Sequence, residues 1–212
     1  MSSASTPLPR PRSNAKTTLW ALMGITTLIV LALVEYPYFG HPNPNRTRVL
    51  GEKLIFLPHA LGGVIALLIG PFQFSTRLRQ RNLRLHRILG KVYVGSVVVA
   101  ACTSLIISHH LDIVDQPETY IFFETCIQGG FWLLATLAAF ITARNRHIAV
   151  HRQWMIRSYT FTFIFVSSRI PIPALTRLSD GAFVIFLFML VAVSLILPDL
   201  YFSWRELTHR RA

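Results

Sequence analysis

Charged residues are scarce in this 212-residue sequence, at 14% of the chain, where a soluble domain normally has about a quarter. Hydrophobic residues make up 52%, and no polar stretch is long enough to form a separate domain. This excludes a soluble enzyme carried on a single membrane anchor. The two cysteines both lie inside apolar runs, so neither a disulfide framework nor a cysteine metal site is indicated. Motifs for nucleotide binding or hydrolysis are also missing from the sequence.

Apolar residues are instead gathered into six runs, each close to the roughly 20 residues that cross a bilayer as a helix. The runs cover residues 18–36, 54–74, 92–108, 120–143, 154–170 and 182–204. Lipid offers backbone groups no hydrogen-bond partner, and no run alternates like a barrel strand, so each run is predicted to be helical. We therefore expect an all-α fold, a six-helix transmembrane bundle over residues 17–205. It lies between a disordered basic tail at 1–16 and a short tail at 206–212.

Lysine and arginine are unevenly distributed among the segments that join these runs. With the N-terminus inside, 16 of the 21 basic residues fall on the inner side and seven of the nine acids on the outer side. The positive-inside rule then predicts that both termini are cytosolic. Topology and contact with anionic membrane lipids account for the net charge of +12. Nucleic acid is therefore not an expected partner.

Two histidines with neighbouring arginines begin the third and fifth runs on the predicted inner side. They are His86 with Arg87, and His151 with Arg152 and Arg157. Neutral imidazole ligates iron, and arginine pairs with carboxylates such as haem propionates or with lipid phosphates. Basic side chains at span ends also commonly extend to lipid headgroups. Because the two helices enter the membrane in the same direction, these imidazoles could supply both axial ligands of one metal.

A second polar group lies on the predicted outer side. It comprises His59 early in the second run, His109 and His110 at the end of the third, and Glu124 with Gln128 at the start of the fourth. Ionisable residues within spans are costly and are default functional candidates. This group is compatible with a second haem, a quinone site or a metal-dependent enzyme. The last alternative requires the side chains to converge on one point.

Small residues at four-residue spacing follow His59 along the second run. They are Gly62, Ala66 and Gly70. Such a strip allows two helices to pack closely. The alternative is a groove that admits a flat ring whose metal is bound by His59.

Three sequence strings carry a family resemblance: PHALGGVIALLIGPFQF, HRILGKVYVG and HRQWMIRSY. Together they resemble the signatures of a bacterial multi-pass membrane family catalogued as domain of unknown function 2306. The resemblance covers residues 54–204. It implies a multi-pass protein of a bacterial cytoplasmic (inner) membrane and brings no established activity.

A second resemblance is to transmembrane two-haem b-type cytochromes that use ascorbate or quinol. Those proteins use a His-x-x-Leu-Gly element at a helix start as an axial ligand, and residues 86–90 (HRILG) are similar. They also have a histidine at the start of an earlier helix that ends in Pro or Gly and then Arg, as His59, Gly70, Pro71 and Arg77 do here. This sequence departs from the pattern in its fourth run, which has no histidine.

Two hypotheses from different classes follow. In the first, His86 and His151 ligate haem b, the inner arginines counter propionate charge, and the protein transfers electrons across the membrane or to quinone. In the second, the protein is a non-catalytic lipid-binding or accessory subunit whose inner arginines hold anionic headgroups.

Overall fold

The structure, a computed structural model, describes residues 14–32, 53–115, 119–169 and 180–209. Within these ranges the chain is helical and contains no strand. The helices are α1 (Asn14–Val30), α2 (Lys53–Gln73), α3 (Thr76–Arg81), α4 (Leu83–Asp115), α5 (Thr119–Arg144), α6 (Ile148–Arg169) and α7 (Asp180–His209). The predicted all-α class is confirmed. Of the predicted tails at 1–16 and 206–212, residues 14–16 belong to α1 and residues 206–209 to α7. Residues 1–13 and 210–212 lie outside the described residues.

A described helix overlaps each of the six predicted runs, but several helices differ from their runs in extent. α4 begins nine residues before its apolar run, because Asn82 Oδ1 accepts a hydrogen bond from Leu85 N at 2.9 Å and caps the helix start. The short α3, which was not predicted, is capped in the same way by Ser75. α2 begins at Lys53 and includes Pro58.

Four helices are long and apolar enough to cross a membrane: α2, α4, α5 and α7. The described part of α1 is a shorter apolar helix. α6 is not in this group, and its sequence contains arginines and other polar side chains. Much of it is nevertheless buried, including Ser158, Phe161 and Thr162. It packs against α5, α7 and α2. α6 is therefore the central helix, and its polar groups face protein.

A cluster of hydrogen-bonded side chains joins α4, α5 and α6 in the middle of the bundle. The Tyr93 hydroxyl lies 2.8 Å from both Ser158 Oγ and Thr162 Oγ1. Trp132 Nε1 donates to Thr162 Oγ1 at 3.0 Å, and the Thr136 and Ser158 hydroxyls are 2.7 Å apart. All five residues are buried. Because unpaired polar groups are costly away from water, this network fixes the register of the three helices.

The small-residue strip on α2 serves close packing. A Cβ on Gly62 would lie 2.8 Å from Ser96 O of α4, and a Cβ on Gly70 would overlap the ring of Tyr159 from α6. Ala66, between them, is fully buried. The first of the two sequence interpretations is thus confirmed at these positions. Protein atoms occupy the strip, so the expected groove for a flat ring is not formed there.

Candidate functional site

His86 in the first turn of α4 and His151 in the first turn of α6 lie at the same end of the bundle. Tyr93 is seven residues beyond His86, and Ser158 is seven residues beyond His151. Seven residues make almost two turns, so each pair shares a helix face. The contact between Tyr93 and Ser158 therefore places the two histidines at the same level. Each histidine is about 10 Å closer to the start of its helix than this contact. His151 is close enough to act electrostatically on His86.

We call this end of the bundle the basic end: here α2 and α5 end, and α4 and α6 begin. His151 is oriented there by α5, since its Nδ1 lies 2.8 Å from the carbonyl oxygen of Ala139. A carbonyl only accepts, so Nδ1 carries the proton and Nε2 presents its lone pair. Metal-binding histidines are held in their ligating tautomer by this kind of bond.

His86 and Gln73 each have a buried nitrogen without a hydrogen-bond partner among the described residues. These atoms are His86 Nδ1 and Gln73 Nε2. The Gln73 side chain reaches α4 because residue 90 is glycine. A Cβ on Gly90 would lie 3.2 Å from Gln73 Oε1. Gly90 is one turn beyond His86 on the same helix. Two unsatisfied polar groups thus lie near each other at the basic end, where a bound molecule could satisfy them.

Arg79 of α3 is the charged residue that acts on both imidazoles. Arg87 and Arg152, the arginines predicted from the sequence, are exposed, and each acts on the histidine that precedes it. Sequence reasoning missed Arg79 because it is one of several arginines in a polar segment. Gln73 was missed because nothing in the sequence places the end of α2 against Gly90.

Arg157 is engaged elsewhere. Its guanidinium forms an ion pair with Asp199 of α7. It also lies over the rings of Trp154 and Phe202, at 4.9 and 5.1 Å from their centroids. The sequence places no acid near Arg157, but the fold does. Arg157 therefore joins α6 to α7, which is a different role from the one predicted for it.

The predicted outer group is far from the imidazole pair. His59 Nδ1 lies 2.9 Å from the carbonyl oxygen of Ala100, which is 14 residues and about 21 Å beyond His86 along α4. His109 is exposed, and its ring centroid is 5.5 Å from that of Phe122. Glu124 is buried in α5. The side chain of His110 lies outside the described residues.

The described residues contain no group of three or more His, Cys, Asp and Glu side chains placed to hold a metal ion. His59, His109 and Glu124 therefore do not form the convergent site that a metal-dependent enzyme at this end requires. The imidazole pair is a different kind of site, since a haem iron takes only two axial ligands from the protein.

Comparison with known proteins places the chain in a family. The family described as "predicted membrane protein (DUF2306)" matches residues 56–205, and the chain belongs to it. This confirms the family expected from the sequence and identifies an integral membrane protein with several apolar helices. No curated protein and no solved structure matches the chain.

Proposed function

Starting from this family membership, we propose that the protein binds a b-type haem between His86 and His151 and transfers electrons across the membrane or to quinone. In this proposal the chain crosses a bacterial cytoplasmic membrane six times, with both termini in the cytosol. The basic end then faces the cytosol, as the positive-inside rule requires.

The observation that carries the proposal is the alignment of His86 and His151 at the starts of two neighbouring helices. The contact between Tyr93 and Ser158 sets this alignment, and the Ala139 carbonyl holds His151 with Nε2 available. His86 keeps a buried nitrogen without a partner. Two imidazoles from parallel helices at one depth are the donor set that a low-spin haem takes.

The residues around the imidazoles fit the remaining needs of such a group. Haem, when bound, supplies one-electron redox chemistry. Arg79 and Gln73 have the positive charge and the free N–H groups to hold its propionates. Arg87 and Arg152 add positive charge at the exposed rim. Tyr93 and its hydroxyl network close the deep side of the site and keep water away from it.

Absorption spectra of the purified protein, expressed with added haem, test this proposal. We expect a Soret band, a reduced α band and a positive pyridine haemochrome assay for the wild type. His86→Ala and His151→Ala should each lose most of the bound haem. The control is His147→Ala, because His147 is an exposed histidine on the same end. Wild-type protein without a Soret band, or full haem content in both variants, would contradict the proposal.

A groove between α1 and α2 favours the second candidate function, binding of an anionic phospholipid. Its volume is about 590 Å³, and its walls are mainly apolar, including Leu28, Leu68 and Phe72. Arg77 lies at its basic end. Apolar walls suit an acyl chain, and an arginine at the end suits a phosphate headgroup.

Filling the groove distinguishes this function from haem binding. A side chain on Gly24, which lines the groove, would enter open space. Gly24→Trp should therefore reduce co-purified phosphatidylglycerol, measured by native mass spectrometry, and should leave the haem spectrum unchanged. Gly95→Trp is the matched control, since Gly95 is also open but lies outside the groove. Equal lipid content in the two variants would argue against lipid binding in the groove.

A further inference from the structure

Glu124 is a buried carboxyl that the proposed electron transfer does not use. It lies in α5, five residues and about 7.5 Å from the first residue of this helix. Only 3% of its surface is exposed, and its Oε1 has no hydrogen-bond partner among the described residues. The end of the bundle near Glu124 is opposite to the basic end.

The described surroundings of Glu124 do not compensate a negative charge. No charged side chain in the described ranges lies close enough to act on it. Gln128, one turn further along α5, and Trp132, two turns further, continue the same side of the helix into the bundle. An ionised carboxylate is strongly disfavoured in such surroundings, whereas the neutral acid is accommodated. A protonated glutamate near a membrane surface can release and recover its proton.

We propose that Glu124 is a proton-binding site that exchanges its proton with the solution at the end opposite to the basic end. A carboxylate oxygen takes the proton from water in one direction and returns it in the other. Because Glu124 is close to the start of α5, the proton is exchanged with the solution at that end of the bundle. The inference does not depend on haem, because it concerns a different end of the molecule.

Titratable residues on the helices that pack against α5 could change the charge state of Glu124. The contacts of Thr136 with Ser158 and of Trp132 with Thr162 define an antiparallel register between α5 and α6. Continued along both helices, this register brings Arg169 level with Glu124. The other titratable residues at this end of α4 and α7 are His109, His110, Asp112, Asp115 and Asp180. Of these and Arg169, only the His109 side chain is described, and it is exposed beside Phe122.

Reaction of the purified full chain with dicyclohexylcarbodiimide, followed by intact-mass analysis, tests the inference. This apolar reagent adds to protonated carboxyls in apolar surroundings. We expect one adduct per wild-type chain, less adduct as the pH rises, and none on Glu124→Gln. Glu206→Gln is the matched control and should be labelled like the wild type, because Glu206 is exposed on α7. Glu124→Asp should keep the adduct.

Two further measurements keep the inference falsifiable if Glu124→Gln fails to fold. The wild type should show an infrared band of a protonated carboxylic acid that disappears as the pH rises. In sealed vesicles of phosphatidylcholine and phosphatidylglycerol, labelling should follow the pH of the compartment facing the Glu124 end. An unlabelled wild type that becomes labelled in Arg169→Gln would show an ion pair and overturn the inference. Labelling that persists in Glu124→Gln, or that follows the pH at the basic end, would also overturn it.

Discussion

Two glycines on α2 show how one missing methyl group decides helix packing in this protein. A Cβ on Gly70 would overlap the Tyr159 ring, whereas a Cβ on Gly63 would meet nothing within 4 Å. The Tyr159 hydroxyl donates to the carbonyl oxygen of Leu67 at 3.0 Å. The ring is thereby held in place, and it cannot move away without breaking a buried hydrogen bond.

We therefore predict that Gly70→Ala is markedly more destabilising than Gly63→Ala. Overpacking a tight contact costs about 1–3 kcal/mol, and the displaced tyrosine would also lose a hydrogen bond. The melting temperature of each purified variant in detergent measures the difference. Gly63→Ala is the control, since it adds the same atoms to the same helix. Equal melting temperatures would mean that Tyr159 moves freely, in conflict with the packing described above.

At the scale of helices, the start of α4 is held by the side chain of Asn82. Its Oδ1 accepts from Leu85 N, in the turn that carries His86. Asn82→Ala should cost about 1 kcal/mol of helix stability and speed amide hydrogen exchange in the first turns of α4. Asn82→Asp retains the acceptor and should exchange like the wild type. Unchanged exchange in Asn82→Ala would show that the tertiary contacts of α4 hold this turn without the cap.

The positions of the helices were more predictable from the sequence than the way in which the helices pack against one another. Runs of apolar residues reveal spans because lipid requires every backbone group to be satisfied within the segment. The early start of α4 was missed, since its first turns are basic and the signal came from a polar cap. α6 was found as a run although its polar side chains lower its hydropathy. Its buried hydroxyl groups, Ser158 and Thr162, are consistent with its central position.

The candidate site was predictable only in part, for a similar reason. Repeated His-Arg pairs indicated that His86 and His151 belong together, and the seven-residue spacings to Tyr93 and Ser158 were also visible in the sequence. The role of these spacings emerged only from the contact between the two side chains. Arg79 and the ion pair of Arg157 with Asp199 depend on how distant helices pack. No local sequence pattern indicates how helices distant in the chain pack.

At the scale of the whole molecule, the direction of each helix follows from its contacts. The loop between α5 and α6 is short, so these helices are antiparallel, and residues 145–147 lie at the basic end. α4 ends at Asp115 and α5 begins at Thr119, so these two termini lie at the end of the bundle opposite to the basic end. In the orientation proposed above, the basic end faces the cytosol, as the charge distribution predicts. The imidazole pair and Glu124 would then face different compartments.

Labelling of introduced cysteines in intact spheroplasts tests this orientation. A membrane-impermeant maleimide should react with Gln116→Cys and should leave Asn145→Cys unlabelled until the membrane is permeabilised. The background is a chain in which Cys102 and Cys126 are replaced by alanine. Asn145 is exposed in the structure, so a lack of reaction before permeabilisation reflects the membrane and not burial. The reverse pattern would place the arginines outside, and the imidazole pair would then meet electron donors of the other compartment.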